Sequence, residues 1–131
     1  MSGASGALAF PRRERLRQAG EFQAVFQGGN RVERRTFVAL WRLDPGARKV
    51  GFAVSRQVRT AVKRNRVRRR LREAYRRRRG LFPEDLAMVF VGRPAALTAD
   101  FKALLDDVAA AQATVTEKAA AERERHRGRT A

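Results

Sequence analysis

Cysteine is absent from the sequence, which excludes disulfides, cysteine-ligated zinc and thiol catalysis. Histidine occurs once, at His126 near the end of the chain, and no carboxylate cluster is placed to hold catalytic metal ions. Asp106 and Asp107 are neighbours on a predicted helix, where adjacent side chains diverge, so we expect both to face solvent. We therefore expect no catalytic side chains in this protein.

Long apolar runs are absent as well. No segment approaches the length that spans a membrane, and the N-terminal MSGASGALAF lacks the early basic region of a signal peptide. We therefore expect a cytoplasmic protein. With 131 residues the chain is long enough for one domain with tails. We predict a flexible tail over residues 1–10, a domain over residues 11–112, and an alanine- and charge-rich tail over residues 113–131 that is disordered or adds a helix.

Acidic residues are scarce: there are 13 of them against 30 lysines and arginines, which gives a net charge of +17. Such a charge repels itself in a compact state, so nucleic acid or an anionic membrane is the expected partner. The charge is concentrated, because residues 56–79 hold thirteen basic residues and one acidic residue, Glu73, and so carry +12 of the +17. The sequence therefore predicts one strongly cationic patch.

Apolar periodicity and turn signals predict three helices and four strands in the order α, β, β, β, α, β, α. The helices are expected at 20–27, 60–79 and from 98 onward, and the strands at 31–35, 36–43, 49–55 and 85–92. We expect strands 36–43 and 49–55, joined by the turn Asp44-Pro45-Gly46, to pair as a hairpin. This order implies an α+β fold in which helices pack on a small mixed β-sheet.

The third strand is asymmetric. Three large residues, Val50, Phe52 and Val54, alternate with the small residues Gly51, Ala53 and Ser55, so the two sets lie on opposite faces of the sheet. One face is expected to pack a core. The other is nearly flat and leaves an open trough.

The basic helix has an apolar side and two cationic sides. Its apolar side, expected to face the sheet, holds Val67, Leu71, Ala74 and Tyr75. A row at i, i+4 and i+8 runs along one flank and overhangs the trough; it consists of Arg64, Arg68 and Arg72. The exposed side carries Asn65, Arg66, Arg69, Arg72 and Arg76. Like charges at this spacing cost about 0.2 to 0.5 kcal/mol per pair, so phosphate binding explains the row better than folding stability does. A membrane-surface helix would carry larger apolar residues, and we expect no membrane partner.

Three aromatic residues leave two interpretations open. Phe22 and Phe26 lie one turn apart on the first helix, and Phe37 lies on the predicted hairpin. All three could be core residues. Alternatively they could line a groove in which unpaired bases stack. Their spacing alone does not choose between the two.

The stretch GFAVSRQVRTAVKRNRVRRRLREAYR, preceded by RLRQAGEFQAVFQGG and followed by an apolar strand and GRPAAL, resembles the protein subunit of bacterial ribonuclease P over residues 11–111. The resemblance implies a fold similar to a domain of a ribosomal protein, with a left-handed βαβ crossover. It also implies a ribonucleoprotein whose RNA subunit requires magnesium and cleaves the 5′ leader from precursor tRNA, while the protein binds both RNAs. We expect no cofactor on the protein and predict no protein oligomer, and the sequence does not indicate whether it holds metal ions.

The resemblance also assigns site residues by position. The leader of precursor tRNA would contact Phe22, Phe26, Phe37, Arg64, Arg68 and Arg72. The catalytic RNA would contact Asn65, Arg66, Arg69 and Arg70. Three positions depart from the family pattern: Arg59 replaces a usual glycine, Leu40 replaces a frequent aromatic, and Ala53 replaces a hydroxyl residue. The alternatives are a ribosome-associated RNA-binding protein without a role in cleavage and a nucleoid-type protein that coats DNA.

Overall fold

A computed structural model describes residues 14–16, 19–46 and 48–130 of the chain. The strands are β1 (Asn30–Glu33), β2 (Phe37–Leu43), β3 (Lys49–Val54) and β4 (Leu86–Gly92). The helices are α1 (Ala19–Gly28), α2 (Ala61–Arg78), α3 (Ala95–Thr98) and α4 (Phe101–Thr130), and a short 3-10 turn (Arg79–Leu81) follows α2. The predicted order of elements is confirmed, with the short helix α3 added.

The four strands form one mixed sheet in the order β1-β2-β4-β3. Strand β2 is antiparallel to both β1 and β4, and β3 is parallel to β4. The predicted hairpin of β2 with β3 is therefore wrong, because β4 lies between them. The first five residues of β4, 86–90, are all buried, which is typical of a strand covered on both faces, and such a strand takes the centre of the sheet.

The basic helix α2 makes the crossover between the parallel strands β3 and β4. The left hand that the resemblance implies stays a prediction. The Oγ1 of Thr60 caps the helix by accepting a hydrogen bond from the amide of Lys63 at 3.2 Å. The predicted apolar side is confirmed, since Val67, Leu71, Ala74 and Tyr75 are all buried. The helix does not stop at Gly80 but tightens into the 3-10 turn.

Helices cover both faces of the sheet, and each face has its own core. On one face α2 packs over β3 and β4, where Val50, Val54 and Leu71 are buried, and α4 packs over β1 and β2. On the other face α1 packs over β2 and β4, where Val25 contributes to the core together with Val89. Because α1 is short, part of this second face extends beyond it.

The C-terminal helix α4 runs without interruption from Phe101 to Thr130. Of the two alternatives predicted for residues 113–131, a helix describes residues 113–130, while the predicted domain boundary at residue 112 stays a prediction. Val115 and Ala119 are fully buried, and Arg123 Nε donates to Asp85 Oδ2 at 2.7 Å at the start of β4. These contacts attach the segment to the sheet. The predicted tail over residues 1–10 lies outside the described residues.

Two buried carboxylates were not foreseen. Glu14 accepts hydrogen bonds from Tyr75 Oη at 2.8 Å, Arg79 Nε at 2.9 Å and Arg48 Nε at 3.2 Å. Asp107 was expected to face solvent, and this prediction is wrong. Its carboxylate accepts from Thr36 Oγ1 at 2.6 Å and from Arg34 Nε at 3.0 Å, and it thereby joins α4 to the turn before β2.

Candidate nucleic-acid interface

The interface begins with the trough on the α1 face of the sheet, where the predicted flat side of β3 is confirmed. The half-buried ring of Phe22 lies against Gly51, and a Cβ on Gly51 would come within 2.6 Å of Phe22 Cε1 and Cζ. Any larger residue at Gly51 would displace that ring. One turn further along α1, the side chain of Phe26 is 47% exposed. Phe22 therefore closes one end of the trough, while Phe26 remains accessible beside it.

Beyond α1 the trough stays open as a cleft of about 510 Å³. Its floor is formed by Val38 of β2 and Val91 of β4, and Ser55 and Gln57 lie on its β3 side. Arg31 and Arg93 line the opposite side, where Glu33 pairs with Arg93 at 2.6 Å. No side chain of the described ranges fills this part of the sheet face. An apolar floor with polar sides can hold a planar base and bind its edges.

Phe37 is not part of this trough, which corrects its predicted place at the floor. It is fully buried on the opposite face of the sheet, where its ring meets that of Phe90 edge to face at 5.2 Å. Successive residues of a strand alternate between faces, so β2 presents Val38 and Leu40 to the α1 side instead. The core interpretation of Phe37 is the correct one.

The predicted arginine row on α2 divides into two kinds of residue. Arg64 is engaged by the protein, since its guanidinium donates to the carbonyls of Ser55 at 3.0 Å and Val58 at 2.9 Å. Arg68 Nη1 donates to Asn65 Oδ1 at 3.0 Å, and the guanidinium of Arg72 lies 5.9 Å from the centre of the Phe52 ring. Neither Arg68 nor Arg72 pairs with a carboxylate within the described residues.

Arg15 adds a cation that the sequence did not single out. The backbone of Arg15 forms a parallel β-bridge with Val50 at the outer edge of β3, and Leu16 N donates to Val50 O at 3.0 Å. Burial lowers the pKa of Arg72, and repulsion from Arg15 and Arg68 lowers it further. Three positive charges therefore converge beside Phe52, where a phosphate would relieve their repulsion. No local pattern predicts this pairing, because residues 15 and 50 are distant in sequence.

The exposed side of α2 carries most, but not all, of the residues predicted to contact the catalytic RNA. Asn65, Arg66 and Arg69 are exposed. Arg70 is not available in the same way, because Nη1 donates to the carbonyl of Ala96 at 2.6 Å and Nη2 donates to that of Ala99. It thereby satisfies the carbonyl groups at the end of α3. Arg70 is thus a structural contact between α2 and α3 in this fold.

Near the C-terminal end of α2, Glu73 offsets part of the positive charge of the helix. The hydrogen bond from Arg76, helped by Arg77, lowers the pKa of Glu73 to about 2, so these three residues form a local ion cluster. Arg59, which replaces a usual glycine before α2, needs no unusual backbone conformation, since no non-glycine residue of the described ranges has a positive φ.

Within residues 14–16, 19–46 and 48–130, no three His, Asp or Glu side chains are grouped to hold a metal ion. Over the same ranges no helix has both the length and the apolar character needed to span a membrane.

The sequence of this chain is similar to those of known proteins from one family. The model of the Ribonuclease P family matches residues 10–116. The ribonuclease P protein component of Kocuria rhizophila is 39% identical over 111 residues, which cover 84% of this chain and 98% of the relative. The component of Geobacter sp. strain M21 is 37% identical over 111 residues, which cover 83% of this chain and 94% of the relative.

Solved structures agree with this match. The ribonuclease P protein of Thermotoga maritima superposes with a TM-score of 0.68 at 28% identity, over 76% of this chain and 96% of the other. That of Staphylococcus aureus superposes with a TM-score of 0.64 at 20% identity, over 81% of this chain and 94% of the other, and supports the fold alone.

Proposed function

From the premise that this chain belongs to the ribonuclease P protein family, we propose that it holds the single-stranded 5′ leader of precursor tRNA in the trough on the α1 face of the sheet. The chain is an RNA-binding accessory subunit of an endoribonuclease that processes tRNA. Its RNA partner is the RNA of the ribonuclease P complex. The leader as ligand and the cytoplasm as location are parts of the proposal.

One observation carries the proposal: an apolar cleft that no described side chain fills lies on the α1 face of the sheet, and Arg31 and Arg93 line one side of it. Val38 and Val91 offer a floor to unstacked bases, and the exposed ring of Phe26 offers a stacking surface. In this proposal the strand passes around the outer edge of β3, so that Arg68 and Arg72 on the flank of α2 bind the phosphates that follow such bases. Double-stranded RNA cannot present its bases in this way, because they are stacked and paired. The arrangement therefore favours a single strand.

In this proposal the chemistry of cleavage belongs to the RNA subunit. Magnesium held by that RNA would supply the charge stabilisation that phosphodiester hydrolysis requires. The protein lowers the repulsion between two polyanions by binding both of them. Its exposed α2 side, with Asn65, Arg66 and Arg69, would contact the catalytic RNA, while the trough holds the substrate. Arg70 is left out of this assignment because it already bonds to α3.

A reconstituted cleavage assay tests the proposal. The protein is mixed with a bacterial ribonuclease P RNA and precursor tRNA at physiological salt and low magnesium, and formation of the mature 5′ end is measured. We expect faster cleavage with protein than without it. A ribosome-associated protein would bind RNA without accelerating cleavage, and a DNA-coating protein would show no preference for a leader. Equal rates with and without the protein would refute the proposal.

A further inference from the structure

Arg64 has surroundings unlike those of the other arginines in its row. Nη1 donates to the carbonyls of Ser55 at 3.0 Å and Val58 at 2.9 Å, and Nη2 donates to the carbonyl of Val54 at 3.1 Å. One guanidinium therefore binds three backbone acceptors in the segment between β3 and α2. Both of its terminal nitrogens are engaged. A phosphate at Arg64 would have to compete with these bonds for the same nitrogens.

The three carbonyls belong to the segment that contributes Ser55 and Gln57 to one side of the cleft. Val54 ends β3 at the outer edge of the sheet, where a carbonyl that points away from β4 has no strand to pair with. Ser55 lines the cleft and is fixed on its other side by its amide, which donates to Gly92 O at 2.8 Å. Arg64 supplies the missing donors from the first turns of α2. It thus ties this wall of the cleft to the helix that carries Arg68 and Arg72.

We infer that Arg64 is a positioning residue: it fixes the segment from Val54 to Val58 against α2 and so sets the wall of the leader cleft, without binding phosphate itself. This inference rests on the proposed function of the trough. Only arginine suits the role, because its planar fork reaches acceptors in several directions, whereas the single ammonium of lysine is a point charge. Removing the guanidinium of Arg64 would make the segment that carries Ser55 and Gln57 more mobile.

The test compares Arg64→Met with Arg68→Met in the reconstituted holoenzyme. Methionine keeps an apolar stem and removes the donors, and Arg68 is the matched control because it lies one turn further along the same row. Dissociation constants of precursor tRNA and mature tRNA are measured over a series of salt concentrations. We expect Arg64→Met to reduce the preference for precursor over mature tRNA about tenfold, the equivalent of one poorly held base, with an unchanged salt slope. Arg68→Met should lower the slope by about 0.7, the value for one phosphate of a single strand.

Two further measurements separate positioning from simple structural loss. Amide hydrogen exchange at residues 55–58 should accelerate in Arg64→Met and stay unchanged in Arg68→Met. Arg64→Lys, which keeps the charge, should lose the preference for precursor tRNA as Arg64→Met does. A salt slope that falls in Arg64→Met as it does in Arg68→Met, or recovery by lysine, would make Arg64 a phosphate ligand. An unaltered preference for precursor tRNA would make it merely structural, and either result overturns the inference. If the wild-type protein shows no preference at all, the proposed function fails independently of Arg64.

Discussion

The ring of Phe22 and the backbone of Gly51 are in direct contact, so that a single added Cβ would lie 2.6 Å from two ring atoms. This contact joins α1 to β3 across the end of the trough. It explains why an aromatic residue on one element is matched by the smallest residue on the other. It also fixes where the closed end of the trough stops and the open cleft begins.

Gly51→Ala should therefore push Phe22 out of its place. We expect a loss of about 1 to 3 kcal/mol in the free energy of unfolding, the usual cost of overpacking, together with weaker binding of precursor tRNA. Urea unfolding and a binding titration measure the two effects. Gly28→Ala is the control, since a Cβ there would meet nothing within 4 Å. Equal stability of the two variants would contradict the contact.

Phe26→Ala should affect binding more than stability, because nearly half of its side chain is exposed. We expect the affinity for precursor tRNA to fall by about 1 to 3 kcal/mol, the contribution of one base stacked on an aromatic ring, with mature tRNA binding nearly unchanged. Val62→Ala is a suitable control, since Val62 is 76% exposed and lies at the start of α2. If both tRNAs lose the same affinity, Phe26 does not contact the leader.

Arg69 and Arg70 are neighbours in sequence, yet we expect opposite effects from their replacement by alanine. Arg69→Ala should lower the salt slope of binding to the catalytic RNA by about 0.9 and leave stability nearly unchanged, because its side chain is exposed. Arg70→Ala should cost about 1 to 3 kcal/mol of stability, since the carbonyls of Ala96 and Ala99 lose their donor. Thermal unfolding and binding at several salt concentrations distinguish the two. A slope equal to that of the wild type in both variants would show that neither residue contacts phosphate, and an equal fall in both would show that Arg70 contacts it as well.

Asp107 should make the stability of the protein depend on acidity. Burial raises the pKa of this carboxyl, but the hydrogen bonds from Thr36 and Arg34 outweigh burial and hold it below its ordinary value of 3.8. The stability that the ionised Asp107 gives to the folded protein is therefore complete above about pH 4, and it is lost as the pH falls through the lowered pKa. Asp107→Asn should cost about 1 to 3 kcal/mol near pH 6, and the difference from wild type should shrink by pH 2. Urea unfolding at both pH values checks this, with the exposed residue Asp106→Asn as control.

The sequence predicted a feature correctly where the residues that determine it lie close together in the chain. The apolar side of α2 was predicted correctly because its four apolar residues recur at helical spacing among charged residues. The predicted end of that helix at Gly80 differs from the structure, in which α2 ends at Arg78 and Arg79–Leu81 form a 3-10 turn. The small residues of β3 likewise predicted a flat face, since alternation is a property of the strand itself.

Predictions failed where a distant partner decided the outcome. The turn at Asp44 suggested a hairpin of β2 with β3, but the more apolar strand β4 lies between them. Phe37 could have faced either side of a sheet that helices cover on both faces. Asp107 and Arg70 look like surface charges in the sequence, and their partners lie 71 and 26 residues away. No pattern within one helix contains that information.

The position of β4 also constrains the order in which the molecule can form during synthesis. Strands β1 and β2 are adjacent in sequence and can pair as soon as both have left the ribosome. Strand β3 must wait without a neighbouring strand until the whole of α2 and then β4 have been made, since its main partner begins more than thirty residues later. Contacts of such sequence separation form slowly. The nascent chain therefore displays its arginine-rich segment before the sheet that supports it is complete.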